Sequence, residues 1–442
     1  MNKAPWRDRT PRAASPSGLD RLAVLAVVAF ALRLAYVSSV CGLGHLPGES
    51  REYSTVARRL LESGTIASPF TPDEGATAPS CVMPPGYVVL VAGVYRLLGP
   101  ETFGAILMLQ LLNAAATSGA VLFVGRLAGS LAGPIAGWIA AVLIAVHPAV
   151  VHCTLFIWDT SLFTLAVALT VWIAHRLAER GAHGRAYLPF GLWLGGLALL
   201  NPALTIAYPL LVLWPITKAA GGRRRTIIPC LAAAALGWTL VQIPWTVRNH
   251  LHFRELIYVR CGLGMQLWLG TCPEASDAPD MVFDRQFPLR ANPHQSRIRE
   301  LGESAYLRER MQGSLKAIGD DPGRYVRLVA LRAVDYWLGT VFTHQARRQG
   351  GWPVVSHRAA ATCFLLGETL VVVVGSFLWR RWTVEAKWLA ACAISFSVIY
   401  CLTHVEVRYR TPSEPIIAIL VGLMIHQLWA MRGRRRISTA QV

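Results

Sequence analysis

Residues 103–147 read FGAILMLQLLNAAATSGAVLFVGRLAGSLAGPIAGWIAAVLIAVH, and Arg126 is the one charged side chain among them. A helix needs about 20 apolar residues to cross a hydrocarbon core, so 103–125 and 131–147 read as two spans joined by a short turn. Comparable runs stand at 21–39, 159–175, 187–200, 202–216, 226–246, 357–379, 386–402 and 412–430. The fold class expected is therefore an all-α polytopic membrane protein of about ten transmembrane helices. Composition agrees: the 442 residues are 54% hydrophobic and 15% charged, too poor in charge for a soluble globule. One further apolar run, Pro85 to Leu98, is short and follows Pro84; it reads as a re-entrant or interfacial helix.

The net charge of +18 points away from nucleic acid, because its excess is gathered in short clusters beside apolar runs. With ten spans and the N-terminus inside, the short cytoplasmic segments hold Arg126, Arg176, Arg180, Arg185, Lys218, Arg223 to Arg225, Arg380 and Arg381. The short outer segments hold only Arg408 and Arg410. That asymmetry places both termini in the cytoplasm of an inner (plasma) membrane protein. The first apolar run carries no cleavage site and is expected to remain a span. The chain then divides into a basic tail (1–20), a seven-span module (21–246), a long loop (247–356), three C-terminal spans (357–430) and a second basic tail (431–442).

Two long loops, 40–102 and 247–356, fall on the same outer face, and function concentrates on such loops. Glu49 to Gly64 has its apolar residues Tyr53, Val56, Ala57, Leu60 and Leu61 at helical spacing, with Gly64 to close the helix. Tyr306 to Ile318 and Arg324 to Phe342 read as further interfacial helices, the latter with Arg324, Arg327, Arg332 and Asp335 on its polar side.

In chain order, GESREYSTVARRLLESG (48–64), PPGYVVLVAGVYRLLG (84–99), PWTVRNHLHF (244–253), LWLGTCPE (267–274), the stretch from Tyr306 to Trp337 and EVRYRTPSEP (406–415) resemble segments of the GT-C-fold glycosyltransferases. These use polyprenyl-phosphate sugars, as the protein mannosyltransferases and lipid A aminoarabinose transferases do. The resemblance implies an inverting glycosyltransferase that moves a sugar from a polyprenyl-phosphate carrier to a glycan, lipid or protein acceptor on the outer face. It places the catalytic base on the first loop at Glu49, where the family usually has Asp, with Glu52 as the rival. It puts a second acidic residue at Asp159, which as a residue could equally be a plain helix N-cap. It assigns substrate contacts to Arg248, Arg408, Tyr53, Tyr87 and Tyr409. Guanidinium forks at the membrane boundary suit a lipid phosphate, although Arg there also snorkels to headgroups. Arg410 can pair with Glu406 or Glu414, and Arg33, inside a span, should face the bundle.

No cofactor is expected, and the histidines, His250 and His252 included, show no metal-ligand spacing. The resemblance leaves open a divalent ion bridging Glu49, Asp159 and a diphosphate, as in the oligosaccharyltransferases, but the members that use monophosphate sugars mostly need none, so no metal is expected. The competing reading is a transporter or flippase for an anionic lipid or small solute, which would carry ionisable groups at mid-membrane and paired broken helices. Cys41, Cys81, Cys261 and Cys272 fall in the two outer loops, where disulfides can form. Pairing within each loop, Cys41–Cys81 and Cys261–Cys272, is expected ahead of four free thiols.

Overall fold

The computed structural model describes residues 16–47, 50–70, 78–181, 184–220, 224–275, 286, 292–338, 352–377 and 382–439. Its helices are α1 (Pro16–Val40), α2 (Arg51–Ser63), α3 (Pro85–Leu98), α4 (Phe103–Ala132), α5 (Pro134–Val146), α6 (Pro148–His152), α7 (Thr160–Arg180), α8 (Gly184–Leu200), α9 (Tyr208–Ala220) and α10 (Arg224–Phe253). There follow α11 (Leu263–Leu269), α12 (Asn292–Leu301), α13 (Glu303–Asp320), α14 (Pro322–Leu338), α15 (Trp352–Ser376), α16 (Val384–Leu402), α17 (Val407–Arg410) and α18 (Glu414–Thr439). No β-strand occurs among the described residues. Among the described residues, helices lie over every apolar run. Six, among the described residues, are long and apolar enough to cross a membrane: Arg21–Val40, Phe103–Ala132, Thr160–Arg180, Arg225–Phe253, Val384–Leu402 and Arg408–Met431. A seventh candidate is a bent pair, α5 and the segment Pro148–Leu155, with an angle of 45° between its halves.

Local chemistry sets the helix ends. Thr102 and Thr383 accept from Ala105 N and Ala386 N, both at 3.2 Å, and so open α4 and α16. Gly64, at φ 70°, closes α2 with its N–H on Leu60 O. Close approach depends on small residues. A Cβ on Gly191 would strike the Ala234 carbonyl and one on Gly237 the Leu188 carbonyl, so α8 and α10 pack nearly backbone to backbone.

The bend after α5 has an identifiable cause. Pro148 has no N–H to offer the Ile144 carbonyl four residues back. Arg33, fully buried as the sequence suggested, fills that gap. Its guanidinium donates to Ile144 O at 3.1 Å, Ala145 O at 3.0 Å and Ala29 O at 2.9 Å, and its Nε to Thr117 Oγ1 at 2.8 Å. Broken backbone inside a bundle is tolerated where such donors replace the lost bonds.

The described parts of the two long loops join in one cap, linked by a disulfide. Cys81 is bonded to Cys261, Cα–Cα 5.4 Å, while Cys41 and Cys272 are free thiols. The expected pairing within each loop is therefore incorrect. Packing between the loops decides it. Cys261 N donates to Cys81 O at 2.8 Å, and buried Glu303 of α13 accepts from Cys81 N at 2.7 Å and Ser80 Oγ at 2.9 Å. Arg332 also departs from expectation. It is buried, with its guanidinium on Gly270 O and Cys401 O, two carbonyls at helix C-termini.

Candidate functional site

A cavity of about 590 Å³ opens where this cap meets the bundle. Among the residues that line it are Glu52, Tyr53, Asp159, Asn201, Arg260, Tyr400, Arg408 and Tyr409. Five of the eight candidate residues thus come together: Glu52, Asp159, Tyr53, Arg408 and Tyr409. Glu49 lies outside the described residues.

Glu52 sits in the first turn of α2, where the helix dipole favours an anion. The apolar stripe of α2 fixes its orientation: Tyr53, Val56 and Ala57 are buried, and Tyr53 meets Tyr87 edge to face at 5.0 Å. The start of α2 is tied to the segment before α7, since Ile157 N donates to Ser50 Oγ at 2.9 Å. Asn113 of α4 holds the same segment through Phe156 O, 2.8 Å.

Asp159 occupies the N-cap position of α7, yet its carboxylate makes no capping bond. It turns instead to Asn201, whose Nδ2 donates to Oδ2 at 2.7 Å. Asn201 is itself locked, because its Oδ1 accepts from Ala203 N at 2.9 Å and opens the 3₁₀ turn Pro202–Ala207. Burial raises the pKa of Asp159, with Asn201, Arg408 and Arg260 holding it partly down. Burial likewise pushes Glu52 up, opposed first by the Arg408 charge.

Arg408 lies on α17, 4.3 Å over the Trp158 ring, and Trp158 stacks on Phe156 at 4.1 Å. Its Nε donates to Glu406 at 2.8 Å. Although burial works against it, that guanidinium together with His404 holds the Glu406 carboxyl down at about 2. The two terminal nitrogens of Arg408 make no hydrogen bond among the described residues, nor does the exposed Arg260 guanidinium. Tyr409 stacks on Tyr400, 4.5 Å between centroids, and gives the cavity an aromatic wall.

Arg248 and Tyr87 are elsewhere. Arg248 donates to Ser80 O at 2.7 Å, Asn249 Oδ1 at 2.9 Å and Ile66 O at 3.3 Å, and lies over Trp245; it seams the cap together and does not line the cavity. Tyr87 is buried behind Tyr53. Sequence reasoning missed Arg260, Asn201 and Tyr400. Asn201 had a signal, a polar residue before Pro202 between two apolar runs. Arg260 had none, being one of many basic residues in a long loop.

Two groups of metal-ligand type converge among the described residues. Cys81 and Cys261, beside Glu303, are joined to each other as a disulfide. The carboxylates of the second, His147–Glu368–Glu414, already face Arg410.

No protein-family model matches the chain, and neither does any curated protein. Among solved structures, the chain is similar to ArnT from Cupriavidus metallidurans bound to undecaprenyl phosphate. The identity is 12% and the TM-score 0.41, over 94% of this chain and 79% of that one. The apo state of the same ArnT gives 14% identity and a TM-score of 0.36, over 93% and 78%. Likeness at this level assigns no role to any residue.

Proposed function

We propose that the chain is an inverting glycosyltransferase that moves a sugar from a polyprenyl-phosphate carrier to an acceptor on the outer face of the plasma membrane. The observation that carries this reading is one cavity in which two carboxylates, Glu52 and Asp159, share space with two guanidiniums that retain unused donors, Arg408 and Arg260. Bidentate N–H groups match phosphate oxygens, and a phosphate monoester needs cationic stabilisation as it leaves. A carboxylate whose pKa is raised by burial is suited to take a proton from an acceptor hydroxyl near neutral pH.

In the reaction, Glu52 accepts the acceptor's hydroxyl proton as that oxygen attacks the anomeric carbon. The new C–O bond forms while the bond to the carrier phosphate breaks, and its electron pair stays with the phosphate between Arg408 and Arg260. Asp159, aimed by Asn201, faces the positive charge that builds at the anomeric centre. A single displacement inverts the configuration. The loop-to-loop disulfide and the basic cytoplasmic segments support an outer-face site with both termini inside.

The test is incubation of the purified chain in lipid with a radiolabelled polyprenyl-phosphate hexose or pentose and an envelope glycolipid extract. Release of carrier phosphate with label on a new product supports the reading. Movement of the lipid between leaflets without any turnover would replace it with a flippase.

A further inference from the structure

Directly behind the cavity wall lies a second group of charges that the proposed chemistry does not use. His147, Glu368, Arg410 and Glu414 are 0%, 3%, 4% and 0% exposed. Arg410 Nε pairs with Glu414 Oε1 at 2.7 Å, and Arg410 Nη2 with Glu368 Oε2 at 3.4 Å. His147 Nε2 stands 3.4 Å from both Glu368 Oε2 and Glu414 Oε2, and the four side chains close a ring. Of the two partners open to Arg410 in the sequence, the structure selects Glu414.

Each member comes from a different element. His147 occupies the break between α5 and α6, and the chain runs from there through Trp158 to Asp159. Arg410 ends α17, two residues beyond Arg408, and Glu414 begins α18. Glu368 comes from α15, which lends no residue to the cavity. The same seam continues toward the cavity, where Cys153 Sγ meets Thr411 Oγ1 at 3.6 Å. Buried ion clusters add little stability over apolar side chains of equal volume, and charges within a membrane are costly. What such a ring supplies is a fixed relation between the elements it joins.

We infer that His147, Glu368, Arg410 and Glu414 are positioning residues, a buried charge clamp that holds the Asp159 wall and the Arg408 wall of the cavity in register. The inference rests on the proposed function only for what the cavity does; the clamp has a readout of its own. Its charge count is specific. Two carboxylates face one guanidinium, and a proton on His147 brings the ring to neutrality. Loss of Arg410 therefore leaves an unbalanced pair of buried carboxylates. Loss of Arg410 together with one carboxylate leaves a balanced Glu–His pair.

Full-length chain in lipid nanodiscs provides the test, with Arg410→Gln, Glu368→Gln and the double variant. Arg410→Gln is expected to lose most folded protein, and the double variant to recover it to within about twofold of wild type. In Glu368→Gln and the double variant, hydrogen exchange at 150–162 and at 403–412 should speed by roughly tenfold, with 303–320 unchanged. With folded protein held equal, kcat should fall about tenfold or more while donor KM stays within about threefold, the mark of lost register. Failure of the double variant to recover, or wild-type exchange at both walls in Glu368→Gln, overturns the clamp. So does a stoichiometric metal ion released from wild type and absent from His147→Gln, which would make the ring a metal centre. If no donor is ever turned over, the proposed function fails, while recovery and exchange still decide the clamp.

Discussion

Arg408 and Arg410 stand two residues apart on one helical turn, and they serve opposite surroundings. Arg410 faces inward, where two carboxylates and the Trp337 carbonyl, at 2.5 Å, engage its donors. Arg408 faces the cavity, where Glu406 engages Nε and, among the described residues, both terminal nitrogens stay open. Both are charges in or beside a membrane, where every such charge needs a reason. A charge whose partners all lie within the protein serves structure. A charge with donors left over, aimed into a cavity, is prepared for something that arrives. The carboxylates divide the same way: Glu368 and Glu414 belong to the closed ring, while Glu52 and Asp159 line the open cavity.

The largest expected effect breaks that comparison if it is wrong. Glu52→Gln keeps the shape and removes the charge, and it should lower transfer by about 10²–10⁴-fold with the fold intact. Glu49→Gln is the paired control. Loss in Glu49→Gln with near-normal turnover in Glu52→Gln, measured as kcat on labelled donor, would return the base to Glu49. Next in size is Arg408→Ala, expected to weaken kcat/KM for donor by roughly 10–100-fold, the worth of hydrogen bonds to a charged group. Arg408→Lys should recover only part, because a point charge cannot make the fork. Full recovery by Lys would mean that Arg408 acts as a point charge and not through a fork; an unchanged kcat/KM in Arg408→Ala would remove it from donor binding.

Much of this was legible in the chain because it is local. Apolar runs, the stripe of α2 and the Gly64 stop are patterns within a few turns, and they located the helices, although 103–125, 226–246 and 412–430 continue seven to nine residues further and 202–216 opens as a 3₁₀ turn. The residues gathered by the cavity, Glu52, Tyr53, Asp159, Arg408 and Tyr409, came from the family resemblance of short local segments; Arg248 and Tyr87, implied by the same resemblance, do not line it. What stayed hidden is held by contacts between distant segments. Nothing near Cys81 announces Cys261, 180 residues away. His147 in an apolar run gives no hint of Glu368 or Arg410, since helix packing alone brings them together. Arg332 read as surface because its spacing on α14 is that of a polar face; carbonyls from two other helices draw it inward.

The cap that joins the two loops gives a smaller effect, on stability more than on chemistry. Cys81→Ser with Cys261→Ser should cost about 2–5 kcal/mol, read as a thermal midpoint several degrees lower than wild type in non-reducing buffer. Reducing agent should produce the same shift in wild type and none in the double variant. Arg248→Ala should act on this seam as well, lowering the midpoint without raising donor KM, because its donors reach Ser80 and Ile66 carbonyls. A raised donor KM at an unchanged midpoint would move Arg248 to the phosphate after all.

The smallest effect concerns pH, and its sign separates the charges that face Glu52. Burial raises the Glu52 pKa, Arg408 lowers it and Glu406 raises it. The base works only when ionised, so kcat/KM should fall on the acid side around a midpoint above the ordinary glutamate value of about 4.3. Arg408→Gln removes the charge that opposes burial, so this acid limb should move to higher pH. Glu406→Gln removes a like charge and should move it to lower pH. The comparison needs residual activity normalised at neutral pH, because Arg408→Gln also loses donor affinity. Opposite displacements identify a carboxylate that senses both groups, as Glu52 does. A limb that stays in place in both variants would mean that the titrating base lies outside the reach of Arg408 and Glu406.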